Sequence, residues 1–356
     1  MWDAIIAGAG PAGAVAAFVL ARNGHRVLLA DDVSSSAGKI GETLPGAAVH
    51  LLRALDLPVP EAGGPHYPIG GNLSSWSSDI LIATDSLSDP AGPGWRLDRP
   101  RFDADLRSAA LKAGATRRSA RVCDLQRQSL SWTVRFDDGS VEPARWIVDA
   151  SGRRSALTRR LGIRRLKDLR VVALYAIGRI DCRLQLNRTI VEAVANGWWY
   201  AARLPSGEPI AGLHTCRKEA GRLAGNLQAW QQAFQSTRHM ADLLPHADFD
   251  HDIQAMDASS ARLAQFSGEQ WIACGDAAMS FDPISGQGIF FALHSGKEAG
   301  LTLAAALKRR DAGLGSYADR MEDAWQTYCA RRARVYRMER RWATEPFWSM
   351  VREGAA

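Results

Sequence analysis

The sequence predicts an α/β protein, and three observations lead to that class. Residues 2–31 read as a short apolar strand, a glycine-rich turn, an alanine-rich helix and a second apolar strand, which together make a βαβ unit. Between about residues 162 and 267, alternating runs such as VVALYAIGRI indicate an antiparallel sheet. Helical patterns return after that region.

The remaining elements follow from local signals. The first helix is expected to end near Asn23 and Gly24, and the second strand is predicted at 26–30. Many Gly, Pro and Ser residues make 34–94 a looser region with one helical stretch at 47–55. Another helix is predicted over 101–113. A hairpin around Asp138 and Gly139 then leads into a buried strand.

Composition disfavours several functional classes. The 356 residues are 46% hydrophobic and 23% charged, which suits about two globular domains or one elaborated domain. The formal charge of +6 allows an acidic partner. No nucleic-acid-recognition motif accompanies the charge, so a nucleic-acid partner is not expected. Five scattered cysteines without a CxxC pair argue against disulfides and zinc. No apolar run is long enough for a membrane span, and residues 5–21 lack the basic start of a signal peptide, so we expect a cytoplasmic protein.

The N-terminal glycines predict a dinucleotide site. Gly8, Gly10 and Gly13 form G-x-G-x-x-G between a strand and a helix. The first allows a tight turn, the second a close approach of the backbone to a pyrophosphate, and the third close packing of helix on strand. Asp31 follows 18 residues after Gly13, at the end of the second strand, where a carboxylate suits the two hydroxyls of a ribose.

The stretch CGDAAMSFDPISGQGIFF, residues 274–291, predicts which dinucleotide binds. Asp276 supplies a carboxylate after a probable strand, and the glycines that follow let backbone N–H groups approach a flat ring before a helix begins. The stretch resembles the ribityl-binding GD motif of FAD-dependent monooxygenases with the para-hydroxybenzoate hydroxylase fold. The matching residues are Gly275, Asp276, Pro283, Gly286 and Gly288. The resemblance implies FAD, with the carboxylate on the ribityl chain and the Pro and Gly turn beside the isoalloxazine.

Three further segments extend the resemblance to nearly the whole chain. GETLP at 41–45, which contains Glu42, resembles the GE-S/T-LP element of the branch that includes flavin-dependent halogenases and tryptophylquinone-forming flavoproteins. WRLDRPRFDADL supplies Arg99 where this fold brings an arginine to the cofactor, and VDASGRRS resembles the Asp-Gly motif of the hydroxylases. For each of these two residues taken alone, a structural role is the alternative to a cofactor role: Glu42 caps a helix, and Arg99 is one of many solvated charges.

Two features of the sequence distinguish between the halogenases and the tryptophylquinone-forming flavoproteins of this branch. A halogenase of this type needs a lysine shortly after the GE element and typically carries W-x-W-x-I-P, but there is no lysine between Ile40 and Leu111 and no such tryptophan motif. Halogenation is therefore not expected. NLSSWSSDI, GWWYAARLP, DPISGQGI and the closing YCARRARVYRMERRWATEPFW resemble the LodB-like or GoxB-like flavoproteins that modify a tryptophan of a partner protein during tryptophylquinone biogenesis.

This resemblance implies a monooxygenase that hydroxylates a protein-bound tryptophan with O2 through a flavin C4a-hydroperoxide. No second G-x-G-x-x-G is present, which leaves both NAD(P)H and a separately reduced flavin open as electron donors. Two alternatives remain. One is a small-molecule oxidoreductase of the same fold, such as a phenol or indole hydroxylase, a halogenase-like enzyme or an isoprenoid reductase; the other is a flavin-binding chaperone or scaffold.

The predicted architecture is a Rossmann-like, three-layer FAD-binding domain with an inserted, mainly antiparallel substrate sheet and C-terminal helices. We assign 1–70, 95–160 and 268–315 to the FAD domain, 71–94 and 161–267 to the substrate domain, and 316–356 to a C-terminal helical segment. Trp198, Trp199 and Tyr200 are candidate substrate contacts, with core packing as the alternative. No side chain identifies itself as a catalytic acid or base, and no metal site is expected.

The closing segment has an amphipathic pattern of its own. Trp325, Tyr328, Val335, Met338 and Trp342 recur at about helical spacing, and six arginines fill the rest: Arg331, Arg332, Arg334, Arg337, Arg340 and Arg341. This pattern is typical of a helix that packs on the core and exposes a basic face to solvent. The alternative is a basic face that docks an acidic protein substrate.

Overall fold

A computed structural model describes residues 1–31, 41–180, 187–244, 247–249, 253–309 and 313–354. The strands are β1 Trp2–Ala7, β2 Val27–Ala30, β3 Thr43–Leu44, β4 Tyr67–Pro68, β5 Gly71–Ser75, β6 Ile82–Asp85, β7 Trp95–Arg96, β8 Thr116–Arg118, β9 Val122–Arg127, β10 Trp132–Phe136, β11 Val141–Asp149, β12 Arg165–Leu169, β13 Val172–Ile177, β14 Arg179–Ile180, β15 Arg188–Val194, β16 Gly197–Arg203, β17 Pro209–Thr215, β18 Ala247–Asp248, β19 Gln254–Asp257, β20 Ser260–Leu263, β21 Ser267–Gly268, β22 Trp271–Ala273 and β23 Met279–Ser280. The helices are α1 Pro11–Arg22, α2 Gly46–Ala54, α3 Arg99–Lys112, α4 Ala156–Arg160, α5 Arg217–Leu223, α6 Leu227–Gln235, α7 Met240–Leu243, α8 Gly288–Lys308, α9 Leu314–Met338 and α10 Pro346–Glu353.

The first structural unit is built around a parallel sheet in the order β22-β11-β1-β2-β8. Its inner strands are apolar on both faces, as in β2, where all four residues are buried. The ribbon of β9 and β10 extends antiparallel from β11, and its buried residues belong to the same core as the sheet and the helices. The predicted α/β class and the βαβ unit are confirmed.

Small residues let α1 and α8 cross closely over this sheet. A Cβ atom at Gly296 would lie 2.3 Å from the carbonyl oxygen of Ala12, and one at Gly300 would lie 2.8 Å from the Cβ of Val19. Only glycine fits such a crossing without moving a helix. The two helices run in the same direction, and the middle of α8 meets the N-terminal end of α1.

An antiparallel sheet in the order β19-β13-β17-β16-β15-β5-β6 forms the second unit, with a parallel pairing only between β15 and β5. One face packs against α5, α6 and α7 through a core that contains Trp199 and Trp230. The opposite face carries Trp198 and joins a cluster with Tyr336 and Trp348 from the C-terminal helices. The sheet draws on residues 71–85 and 172–257, while the exact domain boundaries stay a prediction.

The C-terminal helix α9 follows its sequence pattern only in part. It ends at Met338, before Arg340, Arg341 and Trp342, and the exposures of Arg332 and Met338 are the opposite of those predicted. Arg332 is buried, because it finds Asp168, the hydroxyl of Ser260 at 2.7 Å and the carbonyl oxygen of Gly354 at 3.1 Å. Met338 is 52% exposed at the last turn. Hydrophobic periodicity cannot anticipate a buried arginine whose partners lie elsewhere in the sequence. Among the helices of the described residues, none is long and apolar enough to cross a membrane.

Candidate cofactor and substrate site

The glycine turn after β1 has the geometry that a dinucleotide requires. Gly8 has φ +105°, and a Cβ there would lie 2.2 Å from the carbonyl oxygen of Ala150. At Gly13 a Cβ would lie 1.9 Å from the oxygen of Gly8, so helix and strand touch there. Gly10 differs, because nothing lies within 4 Å of the position of its Cβ. The turn is therefore packed on its inner side and open at Gly10, next to the N-terminus of α1.

Asp31 is held beside this turn. Its Oδ2 accepts a hydrogen bond of 2.9 Å from the backbone nitrogen of Ala9. The carboxylate is thereby fixed next to the glycines, at the carboxyl end of β2, where the hydroxyls of a ribose would meet it.

Asp276 lies at the carboxyl end of β22, in a short 3-10 turn, Gly275–Ala277. Gly275 touches α1, since a Cβ on it would lie 2.6 Å from the Cβ of Ala12. Arg153 pairs with the Asp276 carboxylate at 3.4 Å and donates to the carbonyl oxygens of Ser259 at 2.8 Å and Phe281 at 2.9 Å. This arginine therefore ties the carboxylate to the segments on both sides of it.

The turn before α8 is open to a planar ligand. Gly286 has φ +60°, and neither Gly286 nor Gly288 has an atom within 4 Å of the position of its Cβ. The buried Asp282 holds this turn in place. Its carboxylate accepts hydrogen bonds from the backbone nitrogen of Ile284 at 2.9 Å and from the hydroxyl of Tyr336 at 2.8 Å. Burial raises the pKa of Asp282.

Glu42 and Arg99 occupy different surroundings. Arg99 donates to the carbonyl oxygen of Gly41 at 2.7 Å and pairs with Asp103 at 3.2 Å. Glu42 is 4% exposed and does not cap α2, whose N-cap is Pro45. Its carboxylate instead accepts from the backbone nitrogen of Gly41 at 3.0 Å and enters a buried cluster.

That cluster is built around Arg96, which is 1% exposed. Its guanidinium donates to Glu42 at 3.2 Å, to the hydroxyl of Tyr200 at 2.7 Å and to the hydroxyl of Thr189 at 2.8 Å. The Tyr200 hydroxyl in turn donates to Glu42. Burial raises the pKa of Tyr200, so the phenol keeps its proton. Glu42 directly precedes β3 and Arg96 lies on β7, beside Leu44 and Leu97 of the core around the parallel sheet. Tyr200 and Thr189 belong to the antiparallel sheet, so the cluster joins the two units.

The three aromatic candidates on β16 divide between two faces, because strand residues alternate. Trp199 packs against Trp230 at 5.1 Å on the helix-covered face, which is the core alternative. Trp198 is on the opposite face, where it stacks on His214 at 3.7 Å and donates from Nε1 to Tyr336 at 3.2 Å. Burial lowers the pKa of His214 to about 3, so its ring is neutral.

These positions fit FAD. Asp276, the glycine turn and Asp31 follow β22, β1 and β2 at the carboxyl ends of neighbouring parallel strands, and the starts of α1 and α8 are open at Gly10 and Gly288. An extended dinucleotide with its pyrophosphate at α1 and its flat ring at α8 matches that order.

Comparison with known proteins identifies the family. Residues 77–356 match the family described as tryptophan halogenase. The chain belongs to this family. It is 31% identical to the putative FAD-dependent oxidoreductase LodB of Marinomonas mediterranea, over 98% of this chain and 96% of LodB. It is also 25% identical to a 1H-pyrrole-2-carbonyl-[peptidyl-carrier protein] brominase of Pseudoalteromonas luteoviolacea, over 90% of this chain and 81% of the brominase.

Two solved structures define the fold type. The flavin-dependent halogenase CmlS superposes with a TM-score of 0.87 at 22% identity, covering 98% of this chain and 67% of CmlS. QhpG, described as a peptidyl tryptophan dihydroxylase essential for tryptophylquinone cofactor biogenesis, superposes with a TM-score of 0.80 at 25% identity, covering 98% of this chain and 78% of QhpG.

The tryptophan halogenase family confirms the predicted flavoprotein oxidoreductase with FAD, and it corrects one prediction. The fold is of the halogenase type and not of the para-hydroxybenzoate hydroxylase type. The resemblance rested on motifs that seat the same cofactor, and a cofactor seat does not specify the architecture around it. Within this family, Arg96 and Asp282 are the residues that sequence reasoning missed, because nothing in the local pattern of either one shows that it is buried.

Proposed function

We propose that the protein is an FAD-dependent monooxygenase that hydroxylates a tryptophan side chain of a partner protein during tryptophylquinone cofactor biogenesis. The observation that carries the proposed substrate is the similarity to QhpG, whose described substrate is a peptidyl tryptophan. The 31% identity to the putative FAD-dependent oxidoreductase LodB over nearly the full length of both chains supports the flavin chemistry.

The residues of the chain divide the work of holding the cofactor. The backbone at Gly10 and the N-terminus of α1 would hold the pyrophosphate, and Asp31 would hold the ribose. Asp276, paired with Arg153, would bind the ribityl chain. The turn Pro283–Ser285 with Gly286 and Gly288, which we call the ring turn, would hold the flat ring. When bound and reduced, FAD supplies the activation of O2 from which one oxygen atom enters the indole and the other leaves as water. The two electrons come from NAD(P)H or a separately reduced flavin.

The antiparallel sheet supplies the cover over the ring turn. Ile284, inside that turn, and Tyr200 are both partly buried and pack against the apolar cluster that contains Trp198. A dry, apolar cover excludes water that would otherwise divert the reaction to hydrogen peroxide. Tyr200, which is partly exposed, is therefore the aromatic candidate for contact with an indole, whereas Trp198 packs under α9 and α10 and Trp199 packs under α5–α7.

Halogenation is the second candidate, because the chain belongs to the tryptophan halogenase family and several halogenases are among its relatives. The absence of a lysine between Ile40 and Leu111 weighs against it. The two reactions leave different masses on the product.

The test is intact-mass and peptide mass spectrometry of tryptophan-bearing polypeptides co-expressed with this protein, in medium that contains chloride and bromide. An increase by the mass of one or two oxygen atoms on a tryptophan is expected. Asp276→Ala, which loses the ribityl contact, abolishes it, whereas Asp319→Ala, at an exposed position on α9, leaves it unchanged. A halogen on the product supports the second candidate, and oxidation of free aromatics alone contradicts the protein substrate.

A further inference from the structure

The outer face of α9 is a surface that the cofactor site does not use. The inner face carries Tyr336, whose hydroxyl reaches Asp282 beneath the ring turn. The outer face and the residues directly after it expose one apolar and four basic side chains: Arg331, Arg334, Arg337, Met338 and Arg340. Met338 follows Arg334 by four positions, so the two are neighbours on the helix surface.

Contacts join the end of α9 to the turn that precedes β6. Trp76 donates from Nε1 to the carbonyl oxygen of Val335 at 2.9 Å, and the backbone nitrogen of Ser77 donates to Glu339 at 2.8 Å. Asp79 pairs with Arg341 and with Arg238, both at 2.7 Å. The end of the helix and this turn are therefore continuous. We call the exposed side chains on them the arginine surface: Arg238, Arg331, Arg334, Arg340, Met338 and Ile80.

The charge of the arginine surface is positive. Between residues 331 and 341 the acid is Glu339, which is fully buried and paired with Arg341. Asp79 is shared by two arginines. Ile80 is 70% exposed and Met338 is 52% exposed, so apolar side chains stand among the guanidinium groups. Arginine and methionine are enriched at protein–protein interfaces, which favours a polypeptide over a nucleic acid as the partner.

The arginine surface lies close to the proposed reaction site. Tyr336 faces Asp282 on the inner side of α9, and a helix with its side chains is about 10–12 Å across. A polypeptide bound on the outer side is therefore about one helix diameter from the ring turn, close enough for a neighbouring segment of that polypeptide to enter the site.

We propose that the arginine surface docks an acidic segment of the polypeptide substrate. This inference rests on the proposed function and identifies the surface by which the substrate is held. Guanidinium groups bind carboxylates through paired hydrogen bonds, and electrostatic attraction raises the rate of encounter.

The test uses two synthetic peptides of equal length, each with one tryptophan, flanked by Asp and Glu in the first and by Lys in the second. Binding to the FAD-loaded protein is measured by fluorescence anisotropy at low salt. The variant Arg331→Glu/Arg334→Glu/Arg340→Glu is expected to bind the acidic peptide about tenfold or more weakly. The control Arg53→Glu/Arg117→Glu/Arg135→Glu makes the same change of charge at exposed sites of the cofactor-binding unit and is expected to stay within about twofold.

Equal weakening in both variants would overturn the proposal, because the attraction would then be due to net charge. So would tighter binding of the Lys peptide. Duplex DNA and phosphatidylserine vesicles are tested in parallel, and if only these depend on the arginine surface, it serves another anion and the proposal is wrong.

Oxidation of the acidic peptide, measured separately, distinguishes this proposal from the proposed function. Surface-dependent binding without oxidation by any form of the protein would refute the function and leave the docking surface. Oxidation that is equally fast in both variants at low peptide concentration would refute the docking surface and leave the function.

Discussion

Replacing Arg96 with Met is expected to destabilise the fold by about 3–5 kcal/mol, the cost of leaving a buried partner charge uncompensated. Arg96 is 1% exposed, and Glu42 beside it is 4% exposed. Methionine fills much of the volume of the arginine stem, so the loss is mainly electrostatic. The carboxylate of Glu42 would keep its bonds from the Tyr200 hydroxyl and the Gly41 nitrogen, but it would have no cation.

Substitutions at Tyr200 and Glu42 are expected to change the free energy of unfolding by different amounts. Tyr200→Phe removes one hydroxyl and leaves the ion pair, so a loss of about 1–2 kcal/mol is expected. Glu42→Gln combined with Arg96→Met removes both charges. The double variant is therefore expected to be less destabilised than the sum of the two single variants, by about 0.5–3 kcal/mol.

The assay is urea unfolding followed by circular dichroism, for the free protein and for the FAD-loaded protein. Arg101→Met is the matched control, because Arg101 pairs with Asp105 at 3.1 Å with 64% of its side chain exposed, where a loss of about 0.5 kcal/mol or less is expected. If Arg96→Met costs no more than Arg101→Met, the cluster does not hold the two units together.

Three further predictions concern the turn before α8, the Tyr336 hydroxyl that contacts it, and the imidazole of His214 on the antiparallel sheet. Gly288→Val is expected to weaken FAD binding at least about tenfold by closing the open position before α8, with stability in urea nearly unchanged; unaltered FAD affinity would contradict the placement of the ring. Tyr336→Phe removes one bond to the buried Asp282 and is expected to shift the absorption spectrum of bound FAD and raise its dissociation constant, and an unchanged spectrum would argue against the coupling of α9 to the turn. His214 has a pKa near 3 in the folded state against 6.5 unfolded, so below pH 6.5 only the unfolded state takes up the proton. Stability therefore falls as pH falls from 6.5 towards 3, by up to about 1.4 kcal/mol per pH unit, and His214→Phe should flatten this slope in acid-titrated unfolding, whereas exposed His50→Phe should not.

The backbone geometry of the candidate cofactor site was predictable from the sequence, because its signals are local. The glycines at 8, 10 and 13 and the stretch from Asp276 to Gly288 need particular backbone conformations, and those needs are visible in the sequence. The helix predicted over 101–113 begins two residues earlier, at Arg99, because Asp98 caps it by accepting from the nitrogen of Arg101.

The rest depends on contacts between distant segments. Arg96 bonds to Glu42, which is 54 positions away in the sequence, and to Tyr200, which is 104 positions away. Period-two alternation separates Trp198 and Tyr200 from Trp199, but it does not say which face meets the cofactor unit. The same limit applies to Arg332, whose partners Asp168 and Gly354 lie 164 and 22 positions away.

The most direct test of the central claim is isotope transfer from isotopically heavy O2. The FAD-loaded protein, reduced chemically, is mixed with a tryptophan-bearing polypeptide under the labelled gas, and the tryptophan is analysed by tandem mass spectrometry. The account predicts heavy oxygen on the indole ring with the intact site and none with Asp276→Ala. Heavy oxygen found only in hydrogen peroxide and water, with the polypeptide unlabelled, would contradict it.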